Sequence, residues 1–83
     1  MPKQTKVLCI ITSFNLDDSK KIDYKEGKEY RAEIIGDDVL VEDESGHMYL
    51  AGHSAIEAVR LGIQEKENGR WDDWFNEHFR FLD

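Results

Sequence analysis

A single cysteine, Cys9, stands among 83 residues. One thiol cannot close an internal disulfide, so the chain suits a reducing compartment. Long apolar runs are missing too. The run Val7 to Ile11 is far shorter than the ~20 residues of a membrane span. No small-residue cleavage site follows it, as a signal core would need. Basic excess is absent: 11 Lys and Arg face 18 Asp and Glu, for a net charge of −7. That balance opposes a sequence-independent grip on DNA or RNA, where neutralising phosphates supplies most of the affinity. It opposes anionic membranes as well and leaves basic protein partners open. There is no glycine-rich phosphate loop, nucleophile elbow, zinc signature, internal repeat or interdomain linker. These absences lead us to expect a soluble, cytoplasmic chain with no enzymatic activity, no cofactor, no metal and no membrane partner.

What is present is an adequate core and one well-patterned sheet. Two Trp, three Tyr and four Phe sit among 40% hydrophobic residues, which argues against disorder despite 35% charged residues. A chain of this size buries about 60–65% of its unfolded surface, so one modest core and one domain over residues 1–83 are expected. The stretch Lys25 to Ala51 organises it. From Glu29 the chain alternates, with Tyr30, Ala32 and Ile34 on one face and Glu29, Arg31 and Glu33 on the other. Gly36-Asp37-Asp38 breaks that strand, Val39 to Val41 begins the next, and Asp43-Glu44-Ser45-Gly46 turns into a third, His47 to Ala51. Connections this short permit only antiparallel neighbours.

On the N-terminal side, Met1 to Thr5 reads as a polar, frayed start, Lys6 to Phe14 as a buried first strand, and Asn15 to Asp23 as a loop. On the other side, Ser54-Ala55-Ile56-Glu57 matches a capping box and predicts a helix from Ala55 to Lys66, with Asn68-Gly69 as the stop. Ile56, Val59 and Ile63 are its expected inward face. Gly62 would weaken it by about 1 kcal/mol relative to Ala. Trp71, Trp74, Phe75, His78 and Phe79 share one helical face, and Phe79 to Leu82 alternates like a strand. A short helix followed by a closing strand reconciles the two patterns.

Lys25-Glu26-Gly27-Lys28-Glu29-Tyr30, Asp37 to Val41, Asp43 to His47 and His78 to Leu82 together resemble the small SH3-like barrel proteins common in bacteria and bacteriophages. The resemblance covers about two-thirds of the chain and rests on turns and core positions. It implies an α+β fold: a small antiparallel, SH3-like bent sheet or partial barrel of about five strands. The departure is a helical insertion, over about residues 54–76, between strands four and five. The resemblance also implies an accessory protein, often phage-encoded, that acts by binding.

Four acidic groups recur: Asp17-Asp18, Asp37-Asp38, Glu42-Asp43-Glu44 and Asp72-Asp73. They read either as turn residues on a solvated surface or as a negative face imitating the phosphates of a nucleic acid. On the second reading Asp37, Asp38, Glu42, Asp43 and Glu44 steer a basic partner, and Trp71, Asp72, Asp73 and Trp74 complete the surface. The function expected is a phage or mobile-element factor that binds and inhibits a host defence or transcription protein in the host cytoplasm. The alternative is a nucleic-acid-binding SH3-like domain using Lys20, Lys21, Lys25 and Lys28, with Tyr24 and Tyr30 nearby. His47, His53 and His78 match no zinc spacing, and Cys9 reads as a buried thiol. An edge strand or the Trp71 to Phe79 stripe offers a route to a homodimer.

Overall fold

The computed structural model describes residues 2–18 and 20–82; Met1 of the expected polar start, Ser19 of the expected loop and Asp83 lie outside them. In chain order the elements are β1 (Lys3–Cys9), β2 (Ser13–Phe14), β3 (Ile22–Tyr24), β4 (Glu29–Ile35), β5 (Asp38–Glu42), β6 (Met48–His53), α1 (Ala55–Arg60), α2 (Asp73–His78) and β7 (Phe79–Phe81). Five strands form one antiparallel sheet in the order β6-β5-β4-β1-β7, curled into a half-barrel, and β2 and β3 pair separately as a hairpin.

The alternation in β4 sends Tyr30 and Ala32 into the core, with Ile34 against it, and leaves Glu29 and Arg31 outside. Ile35 pairs with Asp38, so the β4–β5 loop is only Gly36-Asp37. Gly36, with φ +58°, supplies the positive φ that two-residue hairpins favour. Val39 and Val41 alternate inward from β5. Val7 and Cys9 from β1 and Phe79 from β7 face inward from the same sheet, and Tyr24, Trp71 and Phe75 pack against them to complete the core. Phe75 sits 5.4 Å from Phe79 and 5.3 Å from Phe81, centroid to centroid.

Three expectations about element boundaries need correction. The first strand begins at Lys3, not Lys6, and ends at Cys9, not Phe14. Seven-residue β4 offers a partner to each residue from Lys3, opposite Ile34, to Leu8, opposite Glu29, and that pairing overrides the polar local composition. The expected loop Asn15 to Asp23 ends as strand, because Ile22–Tyr24 pairs with Ser13–Phe14. Asn15 shapes the tip: its Oδ1 accepts from the amides of Asp17 at 2.8 Å and Asp18 at 3.1 Å.

The third correction concerns α1. It stops at Arg60, not Lys66. Gly62 is not an interior flaw but the residue past the end, at φ +77°. Its N–H donates to Val59 O, and Ile63 N–H donates to Ala58 O, which together make a Schellman motif. The inward face also differs: Ala55 and Ala58 are buried, while Ile56 and Ile63 are exposed. The expected N-cap is in place, with Ser54 Oγ accepting from Glu57 N–H at 3.1 Å.

Helix α2 is tied to β6 by one carboxylate. Asp72 caps α2, its Oδ1 accepting from Phe75 N–H at 2.9 Å, while its Oδ2 accepts from His53 N–H at 3.0 Å. Asp72 N–H returns a bond to His53 O at 2.9 Å. Only glycine fits at position 52, because a Cβ there would meet the Phe75 side chain.

Candidate functional site

The sequence singles out nine residues, and the strands divide them. Asp37 and Asp38 lie at the start of β5 and Glu42, Asp43 and Glu44 at or beyond its end. Four residues of rise at about 3.4 Å put the two groups roughly 14 Å apart. Asp72 and Asp73 join the first group, because Asp72 bonds His53 and the His53 Nδ1 lies 3.0 Å from Asp38 Oδ1.

Most of these carboxylates serve the fold. Asp43, only 6% exposed, accepts from the Ser45 amide and hydroxyl and from the His47 amide, all onto Oδ1. Burial pushes its carboxyl up, but the Ser45 hydroxyl and the His47 and Ser45 amides outweigh that and hold it below the usual value. Glu44 bonds Lys28 Nζ at 2.8 Å and the Tyr30 hydroxyl at 2.6 Å, and these two donors hold its carboxyl low. Glu42 faces Arg31 at 3.7 Å. Asp72 is buried in its cap, and Asp73 Oδ1 accepts from Asn68 Nδ2 at 3.3 Å while the Asp73 N–H donates to Gln64 Oε1 at 2.9 Å. Asp37 and Glu44 are exposed.

The two tryptophans part company. Trp71 is buried, with Arg70 over its ring at 5.0 Å. Trp74 is 43% exposed and stacks on His78 at 4.1 Å, while the His78 ring nitrogen Nδ1 lies 2.7 Å from Trp74 O.

Beside Trp74 runs a groove that sequence reasoning missed. It measures about 500 Å³ and lies between the β2–β3 hairpin and β6. Phe14, Leu16, Tyr49, Leu50 and Trp74 give it apolar walls, and Tyr24 and Ala51 line it as well. Its only charged lining residues, among those described, are Asp17 and Asp23. The hairpin is held over the sheet by Tyr24, whose hydroxyl donates to Val41 O at 2.8 Å and whose ring meets Tyr30 and Phe79 edge-on. The groove joins residues from four elements distant in sequence, and no spacing rule links them. The one available signal was the apolar pair Phe14 and Leu16 in a stretch otherwise fit for solvent.

Tyr24 and Tyr30, expected near the basic cluster, are both buried, and burial raises both phenols above their ordinary pKa. Lys28 is paired with Glu44, and Lys20, Lys21 and Lys25 are exposed. Cys9 is buried, its Sγ 3.0 Å from Ile11 O, and burial raises its thiol pKa. Among the described residues no His, Cys, Asp and Glu side chains gather in threes to hold a metal ion, and no helix is long and apolar enough to cross a membrane.

Compared with protein-family models, curated proteins and solved structures, the chain matches none of them.

Proposed function

We propose that this chain is a non-enzymatic binding module of SH3-like build that engages the basic surface of a partner protein through an acidic surface flanked by aromatic rings. The strand order, with a hairpin between β1 and β4 and a helical segment before β7, supports the SH3-like reading. The observation that carries the binding reading is the groove. Its walls hold a half-exposed Trp, Tyr and Phe, a composition enriched where proteins anchor one another. Its carboxylates and the net charge of −7 favour a cationic partner. Exposed Asp37 adds negative charge outside the groove and steers approach rather than anchors it. Inhibition of a host protein rests on the sequence resemblance alone.

The nucleic-acid alternative gains less support. Its lysines remain exposed at Lys20, Lys21 and Lys25, but the aromatic rings needed to stack on bases are in the core. An affinity capture at low and moderate salt, with and without nuclease, tests the proposal. The expected result is one protein that survives nuclease, fades with salt and is lost with Trp74→Ala. Recovery only through nucleic acid, or capture indifferent to salt and to Trp74→Ala, would overturn it.

A further inference from the structure

We infer that the groove takes a basic, extended peptide segment, added as a strand to the open edge of β6, with one large apolar side chain seated against Trp74. This rests on the binding reading and names the form of the ligand. Strand β6 ends the sheet, so only β5 pairs with it. At its C-terminal end Asp72 closes the free edge, taking both the N–H and the C=O of His53. The edge from Met48 to Leu50 has no such cover among the described contacts, and its residues Tyr49 and Leu50 line the groove. In the β5–β6 hairpin Asp43 N–H donates to His47 O, and Val41 stands opposite Tyr49 and Leu40 opposite Leu50. Antiparallel alternation then turns the backbone groups of Met48 and Leu50 away from β5, toward an added strand. Strand addition of this kind draws affinity from the main chain and specificity from alternate side-chain pockets.

The groove decides the side chains. Its volume of about 500 Å³ is within the roughly 300–1,000 Å³ of ligand clefts. Phe14 and Trp74 flank the place for an apolar residue. Asp17 and Asp23, the charged lining residues, select Lys or Arg beside it. The same carboxylates oppose a second copy of this acidic chain as the occupant.

A displayed library of random twelve-residue peptides, selected on the whole chain, tests this. The expected winners carry a large apolar residue flanked by Lys or Arg. Their affinity should fall at least tenfold with Trp74→Ala and with the double change Asp17→Asn, Asp23→Asn. Phe14→Ser, at a half-exposed ring, gives the same loss without touching α2. N-methylation along a selected peptide should abolish binding at alternate positions. Acidic winners, no enrichment, tolerance of N-methylation throughout, or indifference to the groove variants would each overturn the inference. Winners that bind elsewhere on the chain would sink the groove while leaving the binding module standing. A dimer in sedimentation that Phe14→Ser dissolves would overturn it too, by assigning the groove to a second copy.

Discussion

Gly52 lies directly against Phe75: a Cβ at position 52 would stand 2.8 Å from Phe75 Cβ and 3.1 Å from its Cγ. The Phe75 Cβ is fixed by its backbone, so only a shift of α2 as a whole relieves the contact. Gly52→Ala should therefore destabilise the fold by about 1–3 kcal/mol, as overpacking does. Urea unfolding measures this, and an unchanged midpoint would show that α2 slides freely on β6.

Asp72→Ala should cost roughly 2–4 kcal/mol, combining a lost helix cap with an orphaned His53 N–H. Asp72→Asn keeps one carbonyl oxygen and should fall between. Amide exchange should quicken first in α2 and at His53. A uniform change across the sheet would argue against the capping role.

Acid should weaken the β5–β6 turn. Asp43 and Glu44 have folded-state pKa values below their ordinary 3.8 and 4.5. Such carboxyls stabilise the fold above those values and lose their contribution as pH falls through the lowered ones. Stability should therefore decline as pH drops below about 4.5. Urea midpoints followed from about pH 6 to about pH 2 should fall less steeply in an Asp43→Asn, Glu44→Gln double variant. An equal decline would exclude these two groups as the source.

Tyr24→Phe removes the hydroxyl that donates to Val41 O and leaves that buried carbonyl without its phenol donor. A loss of about 1–3 kcal/mol is expected. The larger effect should be local, with faster amide exchange across the β2–β3 hairpin and weaker peptide capture by the groove. Unaltered exchange in Ser13 to Tyr24 would mean the ring contacts alone hold the hairpin.

The sequence was most legible where a local rule acted without competition. Period-two alternation placed Tyr30, Ala32 and Ile34 on the core side, and Ser54 Oγ capped α1, although the other half of the capping box did not form: Glu57 pairs with Arg60, and the Ser54 N–H bonds Asp37 O. Trp71, Phe75 and Phe79 entered the core, and the Phe79 strand followed the short helix as the mixed pattern predicted. Legibility failed where distant chain decided. Lys3 to Thr5 became strand because β4 extends far enough to pair with them. Ile56 and Ile63 looked like a core face, but a helix ended at Gly62 is too short to turn both inward, and two alanines took the buried side. The candidate site shows the same limit. Carboxylates that looked like a recognition surface are mostly caps and ion pairs, and the groove could be seen only once Phe14, Tyr49 and Trp74 came together in space.

The pairing of β1 with β7 sets the order of assembly. Val7 stands opposite Phe81, and Cys9 opposite Phe79, so the first strand made waits for the last. During synthesis β4, β5 and β6 can pair in sequence while one side of β1 remains an unsatisfied edge. Closing a contact of such long range is slow, because its loop entropy is lost before the pairing energy is gained. The nascent chain therefore passes through an interval with an exposed strand and an unfilled space where Phe75, Phe79 and Phe81 will pack. In that interval it is most open to misassociation and to chaperones.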